Sequence, residues 1–216
     1  MAIANLTDIL FSHWQGTILP FNVDEVASNQ VFTDLITAYS HPNRYYHTLK
    51  HIHHVLKTID TLQIYTQDLP SVQLAAWFHD VIYNTQLLDN EEKSADYAAK
   101  LLTKLKIPQI NINIAKNLIL QTKNHENSED NYNAYVLLDA DLAILAVNPT
   151  EYQEYAKAIR QEYAWVLEAD YIKGRKQVLE KFLQRPQIYY TPLMCDRSEQ
   201  SARFNLQQEI DQLLQK

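Results

Sequence analysis

Histidine and aspartate side chains are the groups in this chain best suited to chemistry. His79 and Asp80 follow the largely apolar stretch 72–78, which predicts a buried helix with this polar pair at its inner end. Upstream, His47 and His51 lie four residues apart, a spacing that puts both side chains on one face of a helix. Imidazoles and carboxylates together suit a divalent metal ion that keeps open positions for water and phosphate.

Two further aspartates, Asp139 and Asp141, interrupt the strongly apolar run 136–146. A carboxylate inside such a run is paired, capped or bound to a metal, because burying an isolated charge is costly. Side chains two residues apart on a helix point in nearly opposite directions, so one pocket takes only one of them directly. The residues alone leave open which aspartate that is.

Glycine is scarce, with 2 in 216 residues, and the dipeptides Asn-Gly and Asp-Gly do not occur. Since these residues mark β-turns and interrupt helices, their scarcity predicts an all-α protein. The length is sufficient for one domain with a sizeable core. We therefore expect a single-domain helical bundle that spans residues 1–216.

The formal charge of −7 provides no overall basic surface for duplex nucleic acid or anionic lipid, so neither is an expected partner. A phosphate substrate would need local cations or a metal. The one cysteine, Cys195, cannot form an intramolecular disulfide, and the first residues lack a basic leader region. No apolar run is long enough to cross a bilayer, so we expect a cytoplasmic protein. A homodimer is left open.

Capping residues, prolines and apolar periodicity divide the chain into helices. The predicted helices cover residues 22–40, the later part of 44–62, 71–83, 89–105, 108–123, 135–145, 149–168, 170–184, and 196 to the end. The polar segment 124–133 is predicted to be a loop.

Several stretches of the chain form a recognisable set. They are RYYHTLKH at 44–51, FHDVIYN at 78–84, NEEKSA at 90–95, LDADL at 138–142, EY at 162–163 and ARFN at 202–205. Together they resemble a small bacterial family of predicted hydrolases in the HD-domain superfamily of metal-dependent phosphohydrolases, over roughly residues 20–206. The superfamily pattern, H…HD…D on a helical bundle, implies His51, His79, Asp80 and Asp141 as metal ligands.

The stretch YHTLKHIHHV at 46–55 also resembles the motif YHNxxHAxxV of cyclic-nucleotide phosphodiesterases. In that motif the first histidine is the general acid and the second is a metal ligand. This resemblance implies that His47 protonates the leaving oxygen and that His51 binds the metal. Thr48 replaces the asparagine of the motif and Ile52 the alanine, so specificity for cyclic nucleotides does not follow.

These resemblances imply a metal-dependent phosphoric ester hydrolase that acts on a nucleotide or another small phosphate ester. Two histidines and two carboxylates leave an octahedral ion two open positions, one for water and one for a phosphoryl oxygen. Asp80 or Asp141 would orient the attacking water, and His47 would act as the acid. The mixed nitrogen and oxygen site suits Mn²⁺, Fe²⁺, Mg²⁺, Co²⁺, Ni²⁺ or Zn²⁺.

Four other residues are expected to contact substrate. Arg44, three residues before His47, would bind phosphate through its guanidinium group. Tyr83 would stack on a base, His125 would contact phosphate or a bridging water, and Glu91 would present a carboxylate to the metal-bound water. The simpler roles are a surface ion pair for Arg44 and a place in the aromatic core for Tyr83. For His125 the simpler role is that of a solvent-exposed loop residue, and for Glu91 that of a charge at a helix N-terminus.

Two other functions stay open at this point. The chain could be a non-catalytic HD-type sensor that binds a metal and a nucleotide, and metal-dependent turnover of phosphate esters would exclude it. It could also be a helical interaction module in which His79 and Asp80 are incidental, which predicts no tightly bound metal.

Overall fold

Helices make up the architecture, as the scarcity of glycine predicts. The computed structural model describes residues 3–125 and 131–215, and within these ranges the chain forms eleven α-helices and no β-strand. The helices are α1 (Ile3–Ile18), α2 (Glu25–Tyr39), α3 (Leu49–Leu62), α4 (Leu69–Phe78), α5 (Asn90–Lys104), α6 (Gln109–Gln121), α7 (Tyr132–Leu142), α8 (Pro149–Glu162), α9 (Glu168–Gln184), α10 (Pro192–Arg197) and α11 (Glu199–Leu213).

Short polar side chains set several of the helix starts. Asp24, Asp68, Asn131 and Asn148 each accept a hydrogen bond from a backbone N–H in the first turn of the helix that follows. These bonds satisfy donors that the first turn of a helix leaves unpaired. Because Asn131 caps α7, this helix begins earlier than the predicted residue 135, and the predicted loop 124–133 is shorter. Residues 126–130 of that loop lie outside the described residues.

The helix predicted for residues 71–83 is shorter in the structure, because α4 ends at Phe78. The guanidinium group of Arg44 donates to the backbone carbonyls of Asp80 at 2.7 Å and Val81 at 2.9 Å. These carbonyl groups therefore bind a side chain from the α2–α3 connection instead of continuing the helix. As a result, His79 and Asp80 lie in the turn that follows α4.

Two of the predicted helices near the C-terminal end differ from the structure, one because it is shorter and one because it is divided. The helix predicted for 149–168 stops at Glu162, and Arg160 donates to the carbonyls of Tyr163 at 2.7 Å and Val166 at 3.2 Å in the turn before α9. The helix predicted from 196 onward breaks at Ser198, between α10 and α11. In the first case the arginine satisfies carbonyl groups that the end of a helix leaves unpaired.

The buried core includes elements outside the expected range 20–206. In α1, for which the sequence analysis predicted no helix, Leu10 and Trp14 are fully buried. The Trp14 ring meets the Trp77 ring of α4 edge to face, with 5.7 Å between ring centroids. Among the described helices, none combines the length and the apolar character needed to cross a bilayer.

Three helices position the chemically interesting residues. α3 packs against both α4 and α7, and α4 also packs against α7. The first turn of α3 carries His51, the end of α4 leads into His79 and Asp80, and the last turn of α7 carries Asp141. This packing brings together residues that lie far apart in the sequence.

Candidate metal centre

His51, His79 and Asp141 form a cluster that could hold a metal ion. The Nε2 atoms of the two histidines are 3.0 Å apart, and Asp141 Oδ1 lies 3.3 Å from His51 Nε2 and 3.5 Å from His79 Nε2. Ligand atoms bound to one ion at about 2.1 Å are about 3.0–3.4 Å apart in octahedral or tetrahedral geometry. The spacing of the cluster therefore matches that of ligands around a single small cation.

Asp80 stands beside the same cluster. Its Oδ2 atom lies 3.2 Å from His79 Nε2 and 3.6 Å from His51 Nε2. The structure thus brings together all four residues expected as metal ligands, two imidazoles and two carboxylates. Such a mixed set of nitrogen and oxygen donors fits several divalent metals.

The hydrogen bonds on the far side of each imidazole orient its cluster-facing nitrogen. His79 Nδ1 lies 2.8 Å from the carbonyl oxygen of Ala76, an acceptor that requires Nδ1 to carry a proton. His51 Nδ1 lies 3.1 Å from the hydroxyl group of Tyr46. In the neutral form, His79 therefore presents the lone pair of Nε2 to the cluster, the arrangement found in metal-binding histidines.

Electrostatic coupling within the cluster is strong. Burial alone would raise the pKa of Asp80 and of Asp141, but the neighbouring histidines, His79 foremost, outweigh burial and hold both pKa values below the usual range. Burial lowers the pKa of His79, yet the two carboxylates raise it well above its usual value. A cation at this position would interact favourably with the same two carboxylates.

His47 is adjacent to the cluster and is held by a buried carboxylate. Its Nδ1 atom lies 2.7 Å from Glu162 Oε2, whereas its Nε2 atom faces Asp80 Oδ2 at 3.8 Å. Glu162 Oε1 also accepts hydrogen bonds from the backbone N–H groups of residues 45–47, and Oε2 accepts one from the hydroxyl group of Tyr83 at 3.0 Å. Glu162 therefore fixes both the ring of His47 and the segment that carries it.

This pairing favours a protonated His47. Burial lowers the pKa of His47, but Asp80 and Glu162 outweigh burial and raise the pKa above its usual value. Burial raises the pKa of Glu162, yet its hydrogen bonds with His47 and with the backbone lower it to about 2. These contacts therefore stabilise the protonated form of His47, with Nε2 directed toward the cluster. No role was predicted for Glu162 from the sequence, although the dipeptide EY at 162–163 was part of the resemblance.

Asp139 has a structural role and does not join the cluster. Its side chain is fully buried and accepts hydrogen bonds from the backbone N–H of Tyr190 at 2.8 Å and from the N–H and hydroxyl groups of Thr191, both at 2.7 Å. The carboxylate therefore anchors the segment that precedes α10. Of the two candidate aspartates in α7, Asp141 is the one that faces the histidines.

Arg44 requires a correction, because the structure does not offer its guanidinium group to a phosphate. The side chain is 9% exposed and donates to the backbone carbonyls of His47, Asp80 and Val81. A guanidinium group is planar and has five N–H donors, which suits it to join separate stretches of main chain. Arg44 thus ties the segment of His47 to the turn of Asp80.

The other three expected substrate contacts, Tyr83, Glu91 and His125, all line one cavity of about 980 Å³ that opens onto the cluster. The ring of Tyr83 packs on that of His47, with 4.2 Å between centroids. His125 Nε2 lies 2.8 Å from Asp141 Oδ2, on the carboxylate oxygen that faces away from His51 and His79. His125 therefore contacts a cluster residue directly. Its neighbour Glu126 lies outside the described residues.

The remaining wall of this cavity combines basic and aromatic side chains. Lys123, Lys181 and Arg185 line it, as do Trp165 and Tyr163. Lys123 forms an ion pair with Glu92, whereas Lys181 and Arg185 add positive charge that suits an anionic ligand. The sequence analysis did not identify Trp165, since a single tryptophan between two helices gives no local sign of facing a cavity.

In comparisons with protein-family models, with curated proteins and with solved structures, nothing matches this chain. The function is therefore inferred from the geometry of the site and from the sequence motifs.

Proposed function

We propose that this protein is a metal-dependent phosphohydrolase of the HD-domain type that acts on a nucleotide or another small phosphate ester. One observation carries the proposal. His51, His79, Asp80 and Asp141 converge from three helices, and His47 stands beside them with its outer nitrogen held by Glu162. A plain helical core has no need to gather two imidazoles and two carboxylates around one point.

His51, His79, Asp80 and Asp141 would hold the ion, and His125 would steady the outer oxygen of Asp141. When bound, a divalent cation such as Mn²⁺, Fe²⁺, Mg²⁺, Co²⁺, Ni²⁺ or Zn²⁺ supplies a Lewis acid that polarises a phosphoryl oxygen and acidifies water. The carboxylate of Asp80, which faces both the cluster and His47, would orient the attacking water.

His47 would donate the proton that the leaving oxygen requires. Its Nδ1 atom is engaged with Glu162, so the proton available for transfer is on Nε2, which faces the cluster. Protonation of a leaving group by a positioned side chain contributes about 10²–10⁴-fold to a rate. Glu162 would act as a positioning residue, because it orients the imidazole and stabilises its charged form without reaching the substrate.

The test combines metal analysis with an activity screen. The purified protein is analysed for bound metals and assayed with nucleotides and simple phosphate esters, with each of the six metals added in turn. We expect Asp80→Ala to abolish both metal retention and hydrolysis. We expect His47→Ala to keep the metal and to slow turnover by about 10²–10⁴-fold.

His41→Ala removes an exposed histidine and serves as the matched control, which should retain both properties. Failure of the wild-type protein to retain any metal, or to hydrolyse any ester, would contradict the proposal. Loss of metal from the His47 variant would contradict the role of His47 as the acid. The cytoplasmic location and the homodimer stay predictions.

A further inference from the structure

Trp165 is the one of the three tryptophans that faces solvent. Trp14 and Trp77 are fully buried, whereas Trp165, in the turn between α8 and α9, is 54% exposed and lines the cavity above the cluster. An indole ring has a large apolar surface whose burial is favourable. An exposed indole at the wall of a cavity is therefore available to a ligand that covers it.

The indole is held in place by neighbouring groups. Its Nε1 atom donates to Thr85 Oγ1 at 2.8 Å, and the same hydroxyl group donates to the carbonyl of Glu162 at 3.2 Å. Arg160 binds the carbonyls of Tyr163 and Val166 and so stabilises the turn that carries the ring. A fixed ring loses little conformational freedom when a ligand binds, which favours recognition.

The same network joins Trp165 to the proposed acid. Thr85 contacts the backbone of Glu162, and the carboxylate of Glu162 holds His47. The cavity that contains both Trp165 and His47 has a volume of about 980 Å³, and ligand sites measure about 300–1,000 Å³. Its size accommodates a phosphate at the cluster and a further ring system at the indole. Lys181 on the same wall suits an anionic ligand.

We propose that the substrate carries an aromatic ring that stacks on Trp165 while its phosphate group lies at the metal cluster. The substrate class is then a nucleotide, and Trp165 determines the preference for nucleotides over sugar phosphates that lack a base. This inference rests on the proposed function, since it assigns the phosphate to that site. A base stacked on an aromatic side chain strengthens binding by about 5- to 150-fold.

The first test measures binding with little turnover, by tryptophan fluorescence of the metal-loaded His47→Ala variant, which should keep the ion that the phosphate requires. Excitation at the red edge of tryptophan absorption avoids absorption by the bases. We expect AMP, GMP, CMP or UMP to quench the emission, while ribose 5-phosphate leaves it unchanged. Trp165→Phe should lose this quenching, because the remaining Trp14 and Trp77 are buried. The inference would be overturned if none of the four nucleotides changed the emission. It would also be overturned if the emission varied with protein concentration, because a second copy of the chain would then cover Trp165.

The second test uses the metal-loaded protein and compares kcat/KM for the best nucleotide with that for ribose 5-phosphate. We expect Trp165→Ala to lower this ratio by about 5- to 150-fold and Trp165→Phe to keep most of it, because phenylalanine preserves a stacking face. The two variants lose the same hydrogen bond to Thr85, so their difference isolates the ring. A ratio unchanged in Trp165→Ala would overturn the inference.

Phe204→Ala is the matched control, because Phe204 is also 54% exposed but lies in the groove between α8 and α11. This variant should keep the wild-type ratio. The two proposals fail separately. If nucleotides quench the emission but no ester is hydrolysed, the proposed phosphohydrolase activity is contradicted and the stacking of a base on Trp165 is retained. If esters are hydrolysed, nucleotides do not quench the emission and the rates for nucleotide and sugar phosphate are equal, only the stacking on Trp165 is contradicted.

Discussion

At the scale of single residues, His47, the proposed proton donor, is paired with the buried carboxylate of Glu162. The carboxylate raises the pKa of His47, so replacing it with an amide should lower that pKa. An acid must carry its proton to act, so Glu162→Gln should move the alkaline limb of the pH profile of kcat toward lower pH. On the alkaline limb we expect kcat of Glu162→Gln to fall several-fold below that of the wild type, because less of the imidazole is protonated.

The measurement is kcat as a function of pH for the wild-type protein and Glu162→Gln, both with full metal content. The alkaline limb moves toward lower pH because a lower pKa of His47 reduces the fraction of His47 that is protonated at alkaline pH. Glu25→Gln, at the exposed start of α2, provides a control whose profile should match that of the wild type. An alkaline limb that stays in place in Glu162→Gln would exclude His47 as the acid paired with Glu162.

Asp139 and Asp141 provide a second comparison at this scale, because two aspartates of one helix differ in their partners. Asp141→Asn should lose the metal yet stay folded, since it removes one of two neighbouring carboxylates. Asp139→Asn should keep the metal but lower the free energy of unfolding by about 2 kcal/mol, because an amide replaces the acceptor of three buried hydrogen bonds. Metal analysis and denaturant unfolding of both variants check this.

At the scale of helices and their connections, Arg44 joins the segment before α3 to the turn after α4. Three backbone carbonyls receive its hydrogen bonds, and Arg44→Ala leaves them without this donor. We expect the free energy of unfolding to fall by about 2–4 kcal/mol, with little change in KM for a phosphate ester. Arg197→Ala, at an exposed position, should change neither quantity. A raised KM with unaltered stability would instead support the phosphate role first expected of Arg44.

The sequence predicted the helical class and the convergence of the cluster residues better than it predicted the helix ends. The apolar run before His79 predicted a buried helix with a polar pair at its inner end, and the run around Asp141 predicted a carboxylate that is paired, capped or bound to a metal. The ends of α4 and α8 depend on Arg44 and Arg160, whose side chains bind carbonyl groups of the turns that follow. Periodicity along one helix does not contain such contacts, so both helices were predicted too long.

The sequence also did not predict which residues from distant parts of the chain contact the site. Glu162 lies 115 residues from His47, and the residues around it do not indicate that its carboxylate turns inward. The same holds for Trp165, whose position depends on a hydrogen bond to Thr85. The motifs identified residues that form the cluster, whereas the residues that orient those groups became evident only from the fold.

At the scale of the whole molecule, a metal at the cluster would connect three helices that pack against one another. His51 belongs to α3, His79 and Asp80 follow α4, and Asp141 belongs to α7. A cation that binds the folded chain alone stabilises it, by about 2.7 kcal/mol at a concentration of 100 Kd. Its attraction to Asp80 and Asp141 also relieves the repulsion between these two carboxylates.

We therefore expect added Mn²⁺ to raise the Tm by roughly 5–10 °C over the value in EDTA, since about 1 kcal/mol shifts the Tm of a domain of this size by about 2–4 °C. Differential scanning calorimetry of protein first stripped of metal measures this shift. Asp80→Ala should show no shift, because it lacks one ligand. His41→Ala should show the full shift, because this histidine is exposed and stands apart from the cluster. An equal rise in Asp80→Ala would place the stabilising ion elsewhere on the molecule and would separate metal binding from the four converging side chains.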